Sequence, residues 1–291
     1  MIKPPSLLKC LAIVVVSALV GWRPLRATFS LAWNNDAYTH IILILPIAIG
    51  LMYVDWPAVR QQLSSNWRAG SVLLLAALAA AVFASLPSAS LPPDVKLSIY
   101  IFSLVLWWIG AFVGCFGIPV AKSFLFPLCF LFWLIPFPAM LLNAIVELLQ
   151  QGSAYAAQLL FTTVGVPVAQ DGVVLTIPGL TVEVAQECSS IRSSMILLVT
   201  TMVLAQLFLR SPWRKTLVIA LAIPLSVAKN GLRIFTIAML GTRVDPGFLT
   251  GRLHHNGGPI FLAIALGIIF FLLWILREGK VAPGKISYST R

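Results

Sequence analysis

A cysteine with polar neighbours is the first feature of this sequence that could perform covalent chemistry. Cys188 lies in the stretch "EVAQECSSIRSS", residues 183–194, at the start of a long apolar run. Ser189 and Ser190 favour a helix N-terminus, and Arg192 follows four residues after the cysteine, on the same helical face. A helix N-terminus and a nearby cation both favour the nucleophilic thiolate. The alternatives are that the cysteine is a small apolar side chain and that Arg192 is an interfacial anchor.

An arginine inside an apolar run is the second such feature. Arg233 lies in "AKNGLRIF", well within a predicted membrane span. A charged side chain in a span is costly and normally faces a partner or an aqueous cavity. Asn230 adds a polar group one helical turn earlier, on the same face. The alternative for Arg233, and for the adjacent Lys229, is that the long side chain extends to the membrane interface.

Two adjacent histidines are the third feature. His254 and His255 lie in "HHNGGP", just before another apolar run. A histidine near a thiol can act as a base and then as an acid toward a leaving amine; the alternative is an interfacial pair. Adjacent histidines on a helix do not readily bind one ion, so we expect no metal site. Chemistry by a cysteine and a histidine also needs no cofactor, and we expect none. His40, in "DAYTH", is a candidate for substrate contact or for a structural role.

Long apolar runs must position these residues. The chain has 291 residues, of which 59% are hydrophobic and 10% charged, whereas a soluble domain carries about 25% charged residues. Runs near the roughly 20 residues that cross a bilayer recur throughout. The sequence therefore predicts an all-α polytopic membrane protein with about eight transmembrane helices, forming a single domain over residues 1–291. We expect the spans near residues 7–22, 37–54, 70–86, 97–115, 123–136, 190–209, 216–240 and 258–276.

A different region, residues 138–187, separates the fifth and sixth predicted spans. Its first part is apolar but interrupted by polar residues, which favours an interfacial helix. Its second part contains Asp-Gly and Pro-Gly turn signals between β-branched runs, which predicts a small extracytoplasmic β-hairpin. An edge strand there could pair with an extended peptide segment.

The basic residues predict the orientation. With eight spans, twelve of the 20 Lys and Arg residues fall on the side of the termini; setting aside five near the candidate site, three fall on the other side. The positive-inside rule then places both termini in the cytoplasm. Cys188, Arg233 and one histidine of the 254–255 pair would lie at one depth on the outer face. The net charge of +11 is thus explained by topology, and we expect no nucleic-acid partner.

Several motifs together resemble the exosortase/archaeosortase family of membrane-embedded cysteine transpeptidases, and its bacterial exosortase branch in particular. The resemblance covers most of the chain. It rests on "WNNDAYTH", "FPLCFLFWLIPFPAMLL", "TVEVAQECSSIRSS", "KNGLRI" and "HHNGGPIF", in this order. Many members have Cys-Ser-Gly where this chain has Cys188-Ser189-Ser190, and many have alanine at the position of Glu187, so the subfamily and its recognised signal stay open.

The resemblance implies a catalytic site formed by Cys188, Arg233 and His254. His254 is favoured over His255 because the family's histidine precedes a glycine by four residues, as His254 precedes Gly258. The implied substrates are exported proteins with a C-terminal sorting signal: a short motif, often Pro-Glu-Pro, then a membrane helix and a basic tail. The implied location is the bacterial inner membrane, with the site on the periplasmic face and an unknown acceptor nucleophile.

Two alternatives to a sorting transpeptidase remain at this stage. An intramembrane cysteine protease would use the same residues but release its product by hydrolysis. A non-catalytic transporter or assembly component of exopolysaccharide export would instead use Arg233 to line a path for an anionic solute. The roles of Glu183 and Glu187 beside the cysteine motif are open in all three.

Overall fold

The computed structural model describes residues 4–59, 63–87, 90–184, 191–249 and 257–277. The chain divides into two compact units, Met1–Ile145 and Val146–Arg291. In the described ranges, six helices are long and apolar enough to cross a membrane, and two bent pairs of helices raise the number to eight if each pair is one span. A small antiparallel sheet completes the fold. These features confirm the predicted class: this is a multi-pass helical membrane protein.

The first unit consists of helices joined by short turns. They are α1 (Pro4–Val20), α2 (Trp22–Asn34), α3 (Ile41–Val59), α4 (Trp67–Ser85), α5 (Pro93–Phe116), α6 (Ile118–Ser123) and α7 (Leu125–Phe130), with short 3-10 helices at Asp36–Tyr38 and Leu131–Leu134. α4 and α5 pack closely because Gly70, Gly110 and Gly114 lie at their contact, as small residues do between membrane helices. Ser103 Oγ donates to the carbonyl of Ala77 across this contact, at 2.6 Å.

The first apolar run ends in a bend. α1 and α2 meet at Gly21 at an angle of 76°. Pro24 explains the break, because it has no amide hydrogen to donate to the carbonyl of Val20 four residues earlier. α2 then buries Leu25 and Ala32 on one face. Hydropathy did not predict the helix beyond residue 22, because the polar residues of α2 lower its mean hydropathy although its apolar residues lie on one face.

The predicted span near residues 123–136 is not a single helix. It contains the end of α6, the short α7, a 3-10 turn and then extended backbone. Pro127 removes one helical amide donor. Pro136 and Pro138 restrict the residues before them to extended conformations, and Ile135 indeed has φ −75° and ψ 119°. The prolines therefore divide the run, and the chain resumes as a 25-residue helix, α8 (Ala139–Thr163).

Polar side chains satisfy the backbone exposed by this break. The hydroxyl of Tyr38 donates to the carbonyl of Phe137 at 2.8 Å. Ser98 Oγ donates to the carbonyl of Pro136 at 2.7 Å. Asp94 Oδ2 accepts from the first amide of α8, also at 2.7 Å. Backbone groups outside regular structure need such partners, so these three side chains fix where α8 begins.

The second unit combines the sheet with the last helices. It contains most of α8, then β1 (Ala169–Asp171), β2 (Val174–Ile177), β3 (Leu180–Glu183), α9 (Ile191–Phe208), α10 (Pro212–Arg243), a 3-10 helix at Pro246–Leu249 and α11 (Gly258–Leu276). The strands are antiparallel in the order β1-β2-β3. The predicted hairpin is β2–β3, and β1 adds a strand that alternation alone did not reveal. Both turn signals lie at turns: Gly172 has φ 58° and Gly179 has φ 83°, conformations that favour glycine.

Two apolar cores hold this unit together. The sheet packs on α8 and α10 through a cluster that includes Phe161, Leu175 and Ile234. A second cluster, with Leu197 and Ile269, joins α9, α10 and α11. α10 belongs to both cores. It therefore links the sheet to α9, which follows the cysteine motif, and to α11, which follows the histidine motif.

Asp94 offers a test of how α8 is positioned. We expect Asp94→Ala to lower the midpoint of thermal unfolding in detergent, because the first amide of α8 loses its acceptor. Asp94→Asn should lower it less, since the amide oxygen still accepts. Asp55→Ala is the matched control, because Asp55 is exposed on α3 and its loss changes the charge equally. Equal shifts for Asp94→Ala and Asp55→Ala would contradict the assigned role.

Candidate active site

α10 carries a polar stripe in the middle of the second unit. Lys229 and Asn230 are 6% and 1% exposed, respectively. Arg233 is half-buried and follows Lys229 by four residues, which places both cations on one helical face. Polar side chains inside a candidate membrane span face the protein interior. The stripe is therefore directed into the fold and not toward lipid.

A cavity of about 240 Å³ lies beside Arg233. One wall is α10, through Arg233, Ile234, Ile237 and Ala238, with Leu249 beyond it. The other wall is β3 and the residue after it, over the continuous run 180–184. The sequence predicted that Arg233 would face a partner or a cavity, and it borders one whose far side is the strand that leads to the cysteine motif.

Lys229 is bonded within the protein. Its Nζ donates to Ser193 Oγ, across the contact between α10 and α9. One turn earlier on α10, Ser226 Oγ donates to Ser194 Oγ at 2.5 Å, where both side chains are buried. These two pairs form a polar seam between α9 and α10. Because α9 follows the cysteine motif directly, the seam fixes the start of α9 against the helix that carries Arg233.

A glycine brings α8 against this part of α10. A Cβ atom added at Gly231 would lie 2.5 Å from Cβ of Ala156 and 3.0 Å from its carbonyl carbon. Only glycine fits such a close helix contact without displacement. Gly231 lies two residues before Arg233, so this contact sets the distance of Arg233 from α8.

The strand before the cysteine motif ends in a fixed position. Val184 is 1% exposed, and its amide donates to the carbonyl of Val173 at 3.0 Å. Its own carbonyl accepts from Gln150 Nε2 of α8 at 2.7 Å. Val184 precedes Cys188 by four residues, and Ile191, buried at the start of α9, follows it by three. The segment that contains the cysteine is thus anchored at both of its described ends.

Cys188, Glu187, His254 and His255 lie outside the described residues. Their grouping with Arg233 stays a prediction from the sequence. Arg192 is exposed in the first turn of α9, and Glu183 lines the cavity that Arg233 borders.

His40 belongs to the first unit. It is 1% exposed, and its ring contacts those of Trp133, with centroids 6.0 Å apart, and Phe137, at 6.4 Å. Its surroundings are aromatic, in the segment whose backbone Tyr38 also holds. A contact of this kind fits the structural role that the sequence left open.

Sequence reasoning missed the seam between α9 and α10. A signal was present, because Ser193 and Ser194 in one span and Ser226, Lys229 and Asn230 in another interrupt otherwise apolar runs at helical spacing. Which serine contacts which side chain depends on how each helix is rotated about its own axis when the two pack. The sequence of a single span does not determine this rotation. Within the described ranges, no three His, Cys, Asp or Glu side chains lie close enough to hold a metal ion.

A comparison with protein families finds a match over most of the chain. The model of the transmembrane exosortase family matches residues 32–271. This range contains both walls of the cavity, the seam and all the predicted site residues. No curated protein and no solved structure matches the chain.

Gly231 provides a test of the contact between α8 and α10. We expect Gly231→Ala to lower both the midpoint of thermal unfolding and the activity, because the added methyl forces α8 away from the part of α10 that carries Arg233. Gly267→Ala in α11 is the matched control, since a Cβ there meets nothing within 4 Å. It should be neutral or slightly stabilising, because alanine is the better helix former by about 1 kcal/mol. Two equally tolerated substitutions would argue against a fixed α8–α10 distance.

A double-mutant cycle tests the pair formed by Lys229 and Ser193. Ser193→Ala should lower the free energy of unfolding in micelles by about 1–3 kcal/mol, because a buried ammonium loses a partner. In a Lys229→Met background the same change should cost under about 0.5 kcal/mol, since no charge remains to satisfy. Equal effects of Ser193→Ala in both backgrounds would show that the two side chains are not coupled.

Proposed function

The chain belongs to the transmembrane exosortase family, and we propose that it is a protein-sorting transpeptidase that cleaves the C-terminal sorting signal of exported proteins. The observation that supports this most is the cavity beside Arg233. A cation in the middle of a membrane helix borders a space whose far wall is β3, and the chain continues from β3 directly into the cysteine motif. A cysteine transpeptidase needs a space of this kind, in which the reacting peptide can bind next to a positive charge.

We propose that Cys188, Arg233 and His254 carry the reaction. The thiolate sulfur of Cys188 attacks the carbonyl carbon of the scissile peptide bond. As the C–N bond breaks, the imidazolium of His254 gives its proton to the leaving amine, and a thioester remains on the enzyme. The acceptor nucleophile then loses its proton to His254 and attacks the thioester, and the C–S bond breaks.

Arg233 has an electrostatic role in this scheme. Its guanidinium stabilises the thiolate or the negative charge on the carbonyl oxygen in the tetrahedral state. Such interactions gain strength where water is excluded, and Arg233 is half-buried between the helix and the cavity.

The proposed orientation places residues 138–187 and the site on the periplasmic face of the bacterial inner membrane, with both termini in the cytoplasm. A substrate whose signal is followed by a membrane helix and a basic tail would then be held in the bilayer with its signal at the outer interface. A membrane-impermeant thiol reagent tests this orientation. Modification of Cys188 from the cytoplasmic side alone would show that the orientation is inverted.

Processing of a co-expressed substrate tests the function. The substrate is an exported protein with the tripartite tail and a C-terminal tag, and mass spectrometry follows loss of the tag. We expect Cys188→Ala, Arg233→Ala and His254→Ala each to lower processing by about a hundredfold or more, and His255→Ala to retain it. Cys129→Ala is a matched control, because this free cysteine is exposed. The product mass separates transfer to an acceptor from hydrolysis.

Persistent processing by Cys188→Ala would contradict the cysteine mechanism. In that case the cysteine motif is structural, and the alternative of a non-catalytic transporter or assembly component is favoured. Loss with His255→Ala and not with His254→Ala would keep the mechanism but change the histidine.

A further inference from the structure

β3 is an edge strand of the small sheet. Its described neighbour is β2, with pairs Thr176–Thr181 and Val174–Glu183 in antiparallel register. Among the described strands, none pairs with its other side, because the order is β1-β2-β3. An unpaired strand edge presents a row of amide donors and carbonyl acceptors that can pair with another chain.

The register identifies the groups that point away from β2. In an antiparallel pair, residues that exchange hydrogen bonds alternate with residues that do not. Val184 donates to the carbonyl of Val173 at 3.0 Å, so this pair is of the hydrogen-bonded kind, and Val182 and Leu180 follow it at intervals of two. Thr181 and Glu183 are therefore the residues of β3 whose amides and carbonyls are directed to the free side.

The cavity beside Arg233 runs along this free side. Successive residues of a strand face opposite sides of a sheet, yet the five consecutive residues 180–184 all border the cavity. A space that all five residues share lies along the edge of the strand and not over one face. Its opposite wall is α10, so the edge faces a narrow space bounded by a helix.

We propose that the outer edge of β3 binds the sorting-signal segment of the substrate as an added, extended strand, hydrogen-bonded to the backbone of Thr181 and Glu183. This inference rests on the proposed function for the identity of the peptide. Pairing through the backbone would hold the substrate beside Arg233, on the strand that precedes Cys188 by a few residues. At about 3.3 Å per residue, the run 180–184 accommodates a segment of four or five residues.

The chemistry of the cavity favours a peptide over other occupants. Lipid chains cannot satisfy amide and carbonyl groups. A second copy of the sheet would need open space beside β3, and α10 bounds a cavity of about 240 Å³ there. Glu183 and Arg233 add both signs of charge to a lining that is otherwise mostly apolar. A peptide combines a neutral polar backbone with side chains, and it suits this lining better than a purely anionic ligand.

Proline substitution tests the proposal in the full-length protein, with the same tagged substrate. Thr181→Pro removes an amide on the free side of β3, and we expect it to lower processing about tenfold, as for the loss of one to two peptide hydrogen bonds. Thr181→Ala is the reference for loss of the side chain alone, and Thr181→Pro should process the substrate about tenfold less than Thr181→Ala does. Gln170→Pro is the matched control: Gln170 faces away from β2 at the other edge of the same sheet, by the register of β1.

Cross-linking gives a second measurement that does not depend on turnover. In the enzyme with Thr181→Cys and Cys188→Ala, single cysteines placed along the sorting signal should form disulfides with position 181 with a period of two residues. This pattern is typical of an extended strand, and it would persist even if Thr181→Pro fails to fold.

The outcomes separate this proposal from the proposed function. Equal processing by Thr181→Pro and Gln170→Pro, a cross-linking pattern without the two-residue period, or disulfides between two enzyme copies would each overturn strand pairing while leaving a Cys188-dependent reaction intact. Periodic cross-links to a substrate that wild type never processes would support the pairing and overturn the transpeptidase. The absence of both cross-links and processing would overturn both proposals.

Discussion

The packing around α10 in the second unit depends on one constraint, the placement of two cations in a membrane helix. An uncompensated charge in a span is costly, and α10 carries Lys229 and Arg233 one turn apart. Lys229 meets this constraint through Ser193 of α9, and Arg233 lies at a cavity. These solutions require α9 to pack on one side of α10, and the glycine at 231 lets α8 approach closely on another. The helix contacts around α10 thus follow from where its charges must go.

Non-helical backbone in a membrane protein obeys a related constraint. Its amides and carbonyls must find partners inside the protein or line a cavity. In the first unit, Tyr38, Ser98 and Asp94 supply the partners where prolines interrupt the helices. In the second unit, β3 has one satisfied edge and one edge along a cavity. Among the described strands, the edge of β3 that has no partner borders the same cavity as Arg233, which is where the proposed substrate strand would pair.

The sequence predicted the features that local residue patterns determine, and it missed the features that depend on contacts between elements distant in the chain. Apolar runs predicted the class and most of the spans, and the glycines at 172 and 179 predicted two turns. Over residues 123–136 hydropathy predicted a span but not its break, because apolar prolines score as span residues while they interrupt the hydrogen-bond ladder. The Lys229–Ser193 pair could not be predicted, because it depends on how α9 and α10 are rotated about their axes. The cavity could not be predicted either, because it depends on which edge of the sheet faces α10. The position of Arg233 at a cavity was predictable, because a charge in an apolar run must face a partner or a cavity whichever neighbours surround it.

The difference between the two cations follows from their chemistry. Lysine is a compact charge with three donors on a flexible stem, and at position 229 one of these donors meets a serine hydroxyl. Arginine is a planar group with five donors in a fixed arrangement, and it is more weakly hydrated than an ammonium. At position 233 the guanidinium borders the cavity, and its five donors allow bonds to more than one partner. A lysine has fewer donors with which to hold its own position. The role proposed for position 233, a charge held in place beside β3, therefore favours arginine.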